Sequence, residues 1–265
     1  NGLTLTMSRS PRNPTTYLTD ADYADDLALF ANSISEAGAL LHSLENAAQD
    51  IGLHVNDDKT KFMCYNTKGS LNTIKGDPIL EVTKFKYLGS DISSCQNDVK
   101  CRIGKAWGAL DKLRPIWKSS LPKNMKRRFF QATVESVLLY GSTAWTLTKQ
   151  LEDWLSGTYT RMLRAILNVS WKDHPTKESL YGPIPPLIQT LKARRLRFAG
   201  HCWRAKHELI SDTIFWKPCY GEVSRGRPMK TYVRNLEDDM RTTANQLKRR
   251  MTKKEEWKVS IDEFR

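Results

Sequence analysis

The chain has 265 residues, of which 40% are hydrophobic, so it can bury the cores of one large or two modest domains. It holds no run of eighteen apolar residues, which excludes a transmembrane helix, and its first residues carry no signal-type apolar segment. Its five cysteines form an odd, widely spaced set, which argues against a disulfide framework. We expect an intracellular globular protein.

Charge is distributed unevenly along the chain. The formal net charge is +13, yet residues 1–98 hold 8 basic and 13 acidic side chains, whereas residues 99–265 hold 34 and 16. A strongly basic segment suits a polyanion, because each Lys or Arg that meets a phosphate releases condensed counterions. The alternative is a solvated basic surface, so charge favours nucleic acid as a partner without identifying it.

The first part of the sequence has the pattern of an α+β domain. Residues 15–31 place two β-prone runs on either side of an Ala-Asp-Asp tip at 24–26, which predicts a hairpin. Ser33 and Glu36 have the spacing of a capping box, and apolar residues at helical spacing continue from there to a closing Gly52. A helix therefore follows the hairpin.

Two further β-prone stretches complete this first domain, which we bound at residues 1–97. One covers 60–66, and the other follows a Gly-Asp-Pro turn at 76–78 and ends in Phe-Lys-Tyr-Leu-Gly at 85–89.

After about residue 97 the hydrophobic spacing becomes helical, and no further strand is predicted. Breaks at proline and glycine place helices at about 99–113, 122–147, 149–168 and 185–207, and a final one from Lys230 onward. We assign 98–222 to a helical domain and 223–265 to a basic loop with a C-terminal helix.

The adjacent carboxylates of Asp25 and Asp26 are the main chemical feature of the sequence. Two carboxylates on a tight turn repel each other, so a fold tolerates them most readily where a cation neutralises them. Mg²⁺ prefers such hard oxygen ligands, and two Mg²⁺ ions can activate a primer hydroxyl and stabilise a leaving pyrophosphate. A solvated acidic turn is the alternative.

Seven motifs occur in the same order as in reverse transcriptases of non-LTR retrotransposons, and the chain resembles the RTE-like and related lineages of that family. In chain order they are LTDADYADDLALF, GLHVNDDKTKFM, FKYLGSDI, ATVESVLLYGSTAWTLT, YTRMLRAILNVSWKDH, RRLRFAGHCWR and RGRPMKTY. A bare Tyr-x-Asp-Asp match arises often by chance, whereas several motifs in register do not. The resemblance covers nearly the whole chain.

The resemblance implies a partial reverse-transcriptase palm, formed by the catalytic hairpin, a helix and a small antiparallel sheet. In that palm Asp25 ligates the metal, Asp26 supports the metal site, and Tyr23 packs beneath the nucleotide and primer end. Lys59 matches a lysine near the incoming triphosphate, where a cation would balance the charge that builds on pyrophosphate. An ordinary surface lysine in a turn is the alternative for Lys59.

A second hairpin resembles the one that grips the primer strand in these enzymes. It contains Phe85, Tyr87, Leu88 and Gly89. Alternating aromatic residues are also common in cores, and for Phe85 and Tyr87 taken singly the core interpretation is favoured.

The helical part corresponds to the all-α thumb and the C-terminal helical region of the family, which clamp the template-primer duplex. Basic clusters there could follow a phosphate backbone. The residues that we predict to contact nucleic acid are Lys126, Arg127, Arg128, Arg194, Arg195, Arg197, Arg225 and Arg227. The interleaved tryptophans could stack on bases, but at helical spacing most are expected in the core.

The sequence lacks the upstream aspartate that bridges both metals in the family, and the fingers and endonuclease regions. Asp20 and Asp22 are poor substitutes for that aspartate, which lies on a neighbouring strand. They are too close to the hairpin in sequence, and side chains alternate between faces along a strand. The start at Asn1 also hints at a longer reading frame. We therefore expect a fragment of an RNA-directed DNA polymerase, used for target-primed reverse transcription, that is inactive alone.

The resemblance implies Mg²⁺ as cofactor, with Mn²⁺ as an alternative, and as partners an RNA template, a DNA primer or target, and deoxynucleoside triphosphates. A rival hypothesis is a non-catalytic nucleic-acid-binding protein derived from a retrotransposon, in which the acidic hairpin is a relic. A group II intron maturase would share the hairpin but is disfavoured by the downstream motifs.

Two smaller features leave alternatives open. His201, Cys202, His207 and Cys219 could suggest zinc, but their spacing fits no paired-ligand pattern, so a buried cysteine and a semi-exposed histidine are preferred. The basic stretch LKRRMTKK at 247–254 is either a nuclear-import signal or a solvated helix end, and the nucleus is the expected location.

Overall fold

The computed structural model describes residues 2–6, 14–65, 67–205, 209–217 and 230–263. The chain divides into two units: the first is Asn1–Ser93 with Phe215–Arg225, and the second is Ser94–Ile214 with Gly226–Arg265. The first unit combines a helix with small sheets and the second is helical among the described residues. The predicted mixture of helices and small sheets is confirmed.

The described residues of the first unit form four two-stranded sheets and one long helix. The antiparallel pairs are β1 (Leu3–Thr6) with β2 (Thr16–Leu18), β3 (Asp20–Tyr23) with β4 (Asp26–Leu29), and β7 (Lys86–Tyr87) with β8 (Ser90–Asp91). The strands β5 (Lys61–Phe62) and β6 (Leu80–Glu81) pair in parallel. The strand predicted over 60–66 corresponds to β5, which is only two residues long.

Helix α1 (Ile34–Asp50) begins and ends where the sequence predicts. The Ser33 hydroxyl accepts the Glu36 backbone N–H at 3.2 Å. The Glu36 carboxylate accepts the N–H of Asn32 at 3.0 Å, so the predicted capping box is shifted by one residue on that side. After the helix, Gly52 adopts a left-handed φ of 78° and donates its N–H to the Gln49 carbonyl, which closes the last turn.

The core that the described residues of the first unit form is small. Leu41 of α1 packs against Leu71 and Ile79, with Ala37 and Phe62 at its edge. Because so few apolar side chains are buried together, the short strands of this unit depend on local pairing and on individual hydrogen bonds.

Helices make up the described part of the second unit. They are α2 (Cys95–Lys112), α3 (Arg114–Lys118), α4 (Lys123–Phe130), α5 (Ser136–Leu138), α6 (Lys149–Leu167), α7 (Lys177–Tyr181), α8 (Leu187–Arg204), α9 (Ile210–Ile214), α10 (Tyr232–Met240), α11 (Ala244–Thr252) and α12 (Lys254–Glu263). A π-helical turn, Gln131–Glu135, joins α4 to α5, and short 3₁₀ turns lie at Ser142–Ala144 and Trp171–Asp173. The helices predicted at 149–168 and 185–207 correspond to α6 and α8.

Two predicted helices are interrupted. The helix predicted over 122–147 ends at Leu138, because Gly141 adopts a left-handed φ of 71° and the chain turns there. The single C-terminal helix predicted after Lys230 was wrong. Arg241 has a left-handed backbone conformation, with φ 48°, and ends α10. Thr243 and Gln246 then form a capping box at the start of α11. Three helices, α10, α11 and α12, therefore stand where one was predicted.

A large apolar core holds the second unit together. Phe130, Leu138, Leu155, Tyr159 and Leu191 are fully buried members of it. Trp117 and Trp145 are also buried and Trp107 packs against the core, which confirms the core interpretation for most tryptophans, whereas Trp154 and Trp171 are exposed. In the described part of the chain, the helices are too short or too polar to span a bilayer.

Close packing of α8 against α12 yields a stability prediction. A Cβ added at Gly200 would lie 2.3 Å from Nε1 of Trp257, the indole of which donates to the Leu196 carbonyl at 3.0 Å. We expect Gly200→Ala to lower the free energy of unfolding of the second unit by about 1–3 kcal/mol through overpacking. Urea unfolding followed by helical circular dichroism measures the change.

The matched control is Gly104→Ala in α2, where an added Cβ meets nothing within 4 Å. Because alanine has the higher helix propensity, this variant should gain up to about 1 kcal/mol. Equal stability of the two variants would contradict the packing of Trp257 on Gly200.

Candidate functional site

The predicted acidic hairpin is present, and its register fixes the position of both carboxylates. Tyr23 of β3 faces Asp26 of β4, and Ala24 and Asp25 form the two-residue turn between them. Ala24 has a positive φ of 56°, as a primed hairpin turn requires of its first central residue. Asp25 therefore lies at the exposed tip and Asp26 at the first position of β4.

The two faces of the hairpin carry different side chains. Since residues directly opposite in a pair share a face and successive residues alternate, Tyr23 and Asp26 lie on one face. Asp20 and Asp22 lie on the other face, opposite Leu29 and Leu27. The carboxylates of Asp20 and Asp22 thus point away from that of Asp26.

The second hairpin supports the first through one side chain. The Tyr87 hydroxyl lies 3.0 Å from the backbone carbonyl of Ala21 and 3.2 Å from that of Asp26, so its single proton is shared between the two acceptors. The pKa of Tyr87 is raised above its ordinary value, chiefly by burial and then by the negative charges of Asp26 and Asp22. A phenol that stays neutral remains a donor to both strands.

The tip of this second hairpin has two consecutive residues in the left-handed region. Leu88 has φ 48° and Gly89 has φ 78°, which is the pattern of a type I′ turn. Leu88 is exposed and Phe85 is half-buried, so neither belongs to the buried core. The predicted contact of these residues with a primer strand stays a prediction.

Lys59 lies in an exposed turn after α1. Its N–H donates to the Asn56 carbonyl and to the Asn56 side chain at 3.2 Å and 3.0 Å, which fixes the backbone and leaves the lysine on the surface. Both interpretations of Lys59 stay open.

The carboxylates of the hairpin fit one magnesium ion better than two. Asp25 and Asp26 are adjacent, exposed and offer hard oxygen ligands, and Mg²⁺ is often held by one or two carboxylates together with water and substrate phosphates. No group of three or more His, Cys, Asp or Glu side chains that could hold a metal occurs among the described residues. Those residues alone do not provide a bridged two-metal site.

Three of the cations predicted to contact nucleic acid are buried instead. The Lys126 ammonium donates to the Trp117 carbonyl at 2.6 Å, and the Arg127 guanidinium donates to the carbonyls of Leu180, at 2.9 Å, and Ser179. Burial lowers the pKa of Arg127. These groups satisfy backbone carbonyls in the interior, which is at odds with a contact to phosphate.

Arg195 is the third and is fully buried. It pairs with Asp239 of α10 and donates to the Trp145 carbonyl at 3.1 Å, and Lys192 lies 3.2 Å from the other carboxylate oxygen. This ion pair joins α8 to α10, so Arg195 stabilises the fold. Breaking such a buried pair is costly, because the remaining charge has no water to replace its partner.

Three other predicted arginines converge on one groove of the second unit. Arg128, Arg194 and Arg197 line an open groove of about 610 Å³. The π-helical turn supplies one wall with Gln131, Ala132 and Glu135, and the segment around α8 supplies the other with Pro185 and Thr190. Extra π turns within helices are frequent at functional sites.

Glu135 is the one acidic residue that lines this groove. Only 4% of it is exposed, its carboxylate accepts the Tyr159 hydroxyl at 2.6 Å, and Arg194 lies 4.0 Å away. The pKa of Tyr159 is raised by burial and by the Glu135 carboxylate, which keeps the phenol a donor. Arg194 therefore pairs with Glu135 in the groove and Arg197 lies 3.4 Å from Asp262, so the three arginines face two carboxylates.

Glu135 was not among the residues predicted from the sequence, although a charged residue inside an apolar helical stretch is a signal for a partnered group. Arg225 and Arg227 lie outside the described residues, as do His207 and Cys219. Cys202 is buried and His201 is exposed, as preferred over a zinc set.

Two comparisons with known proteins found sequences similar to this chain. Residues 4–92, which include both hairpins and end beside the Ser93 boundary of the first unit, match the model of the reverse transcriptase (RNA-dependent DNA polymerase) family. A Caenorhabditis elegans protein described as transposon-derived is 25% identical over 240 residues, covering 85% of this chain and 86% of its own length. No solved structure matches the chain significantly.

The two matches confirm the resemblance to a retrotransposon reverse transcriptase. The RTE-like lineage stays a prediction.

The face arrangement of the hairpin predicts which carboxylates bind a cation. We expect Asp25→Asn and Asp26→Asn each to weaken binding of Tb³⁺, a luminescent oxygen-seeking stand-in for Mg²⁺, by about tenfold through loss of a ligand charge. The measurement is a titration of luminescence sensitised by Tyr23.

Asp20→Asn is the control, because it removes the same charge from the opposite face of β3. Its effect on Tb³⁺ affinity should stay below about twofold, the weak influence of a solvent-screened charge. Equal losses for all three variants would contradict a site at the tip.

Proposed function

We propose that the chain is the part of a non-LTR retrotransposon reverse transcriptase that runs from the catalytic hairpin of the palm into the thumb and the C-terminal helical region. In this proposal the first unit is a partial palm and the second unit clamps template RNA and a DNA primer or target. Deoxynucleoside triphosphates are the substrates and Mg²⁺, or Mn²⁺, is the cofactor.

The observation that carries the proposal is the exposed Asp25-Asp26 hairpin inside the segment that matches the reverse transcriptase family. Nucleotidyl transfer needs hard oxygen ligands for Mg²⁺ next to an exposed surface where a primer end can lie. A turn that presents both carboxylates to solvent meets this need, and Tyr23, which is 66% exposed on the face of Asp26, offers a surface to the nucleotide or primer end.

In the proposed reaction, residues of this chain would bind the metal, balance charge on the triphosphate and hold the nucleic-acid backbone. Bound Mg²⁺ supplies Lewis-acid stabilisation of the reacting phosphate oxygens. Asp25 and Asp26 would hold it at the tip of the hairpin, and Lys59 would balance charge on the triphosphate. The groove lined by Arg128, Arg194 and Arg197 would hold a stretch of phosphate backbone.

A second candidate function is a nucleic-acid-binding protein that has lost catalysis. The separation of Asp20 and Asp22 from the face of Asp26, and the absence of a third metal ligand near the tip among the described residues, favour it. Two metals without a bridging carboxylate are held weakly and are poorly aligned for transfer. The two candidates share the arginine groove and differ in catalysis.

Primer extension separates the two candidates. On an RNA template with a DNA primer and Mg²⁺, we expect no extension above the background of Asp25→Ala, because a bridging carboxylate is missing from the described hairpin face. The measurement is product length on a denaturing gel, with Mn²⁺ as a second condition. Robust extension that Asp25→Ala abolishes would show that the chain is catalytically complete.

Nucleic-acid affinity tests the groove. Replacing Arg128, Arg194 and Arg197 together with alanine should lower affinity for an RNA–DNA duplex and reduce the slope of log affinity against log salt by about 2 to 3, because three phosphate contacts no longer release counterions. Fluorescence anisotropy between about 50 and 200 mM salt measures this slope.

The control triple variant replaces Arg114, Lys149 and Lys253, which are exposed, pair with acidic residues three or four positions away in the sequence and do not line the groove. Like the groove variant, the control variant removes three positive charges. If both triple variants change the salt slope equally, binding follows net charge, and the groove is not the site.

A further inference from the structure

One hydroxyl contacts both strands of the acidic hairpin. The Tyr87 phenol shares its one proton between the carbonyl of Ala21 in β3, at 3.0 Å, and that of Asp26 in β4, at 3.2 Å. Ala21 lies two residues before the end of β3, and Asp26 is itself one of the two tip carboxylates. The contact therefore joins the first position of β4 to the opposite strand through a third element.

The hairpin has few other restraints among the described residues. An isolated two-stranded hairpin is marginally stable in water. Both faces of this one are largely open, since Tyr23 on one face and Leu27 on the other are 66% and 47% exposed. Its turn also holds Ala24 in the left-handed region, which is unfavourable for a residue with a Cβ. A hydrogen bond from outside the hairpin to Asp26, directly after the turn, therefore adds a restraint that the hairpin itself does not supply.

The element that carries Tyr87 is itself well defined. Tyr87 pairs with Ser90 across the turn formed by Leu88 and Gly89, and the Ile92 N–H donates to the Phe85 carbonyl at 3.1 Å below that pair. The Ser93 N–H donates to the Asp91 side chain at 2.9 Å and holds the far end of β8. The hairpin that carries the Tyr87 phenol is therefore stabilised by its own hydrogen bonds.

We propose that Tyr87 is a positioning residue that holds the backbone of Asp26 and the paired strand β3 in the geometry that presents the tip carboxylates to a divalent cation. The role in cation binding rests on the proposed function of Asp25 and Asp26. It differs from both sequence-based interpretations of Tyr87, a primer contact and a core aromatic, because the hydroxyl is directed at the backbone of the hairpin.

The hydroxyl and the ring can be separated experimentally. Tyr87→Phe keeps the ring and its packing and removes the donor to both carbonyls, so a packing role would survive the substitution and a positioning role would not. Tyr17→Phe is the matched control, since Tyr17 lies in β2 of the same unit, is exposed, and is outside the acidic hairpin.

The first measurement is millisecond-to-second hydrogen exchange of residues 20–29 in the full chain, read by mass spectrometry. In Tyr87→Phe we expect exchange to be faster by about fivefold, the factor that corresponds to loss of one hydrogen bond of typical strength. Exchange in α1 should be unchanged. Unchanged exchange in the hairpin of Tyr87→Phe, or an equal increase in Tyr17→Phe, would overturn the proposal.

The second measurement is Tb³⁺ affinity, taken from the midpoint of the titration because loss of a tyrosine also changes sensitised intensity. We expect Tyr87→Phe to weaken affinity by about two- to fivefold, with an unchanged urea midpoint. If exchange rises while affinity stays constant, Tyr87 restrains the hairpin without positioning the carboxylates, and the proposal is wrong. If Asp25→Asn leaves Tb³⁺ affinity unchanged as well, the proposed metal site fails, and the exchange result still stands by itself.

Discussion

The pairing of Tyr23 with Asp26 across a two-residue turn decides which side chains of the hairpin can act together. Alternation along the strands then fixes the rest, because a shift of register by one residue would exchange the faces. With this pairing, Asp26 shares its face with Tyr23, Asp25 occupies the tip, and Asp20 and Asp22 face the opposite side with Leu27 and Leu29. Of the four aspartates in these seven residues, two therefore lie at or beside the tip and two lie on the opposite face.

Six of the basic residues of the second unit fall into two groups with different environments. Lys126, Arg127 and Arg195 lie in the interior, where backbone carbonyls or Asp239 satisfy them. Removing a partner of such a desolvated cation would leave an uncompensated charge in the interior. Arg128, Arg194 and Arg197 are exposed enough to meet a ligand and are gathered by the π-helical turn and α8. Adjacent arginines in the sequence therefore have opposite roles.

Much of the fold followed from local patterns. Residue spacing predicted the acidic hairpin, α1 with its Ser33 cap and Gly52 terminus, and the long helices α6 and α8. The interruptions were harder to predict. Gly141 and Arg241 adopt left-handed conformations that end helices within apolar or charged runs typical of a continuous helix, and arginine in this conformation has no sequence signature comparable to that of glycine.

The sequence by itself determined the family resemblance and the acidic pair, because these depend on the order and identity of neighbouring residues. It also determined the contrast between an acidic α+β segment and a basic helical one. Only the tertiary structure decided which basic residues are buried, that Glu135 of the arginine groove accepts the buried Tyr159 hydroxyl, and that the Tyr87 hydroxyl contacts both strands of the hairpin. These facts join residues 24 to 66 positions apart, and the distance between such residues is set by packing and chain topology, which local spacing does not encode.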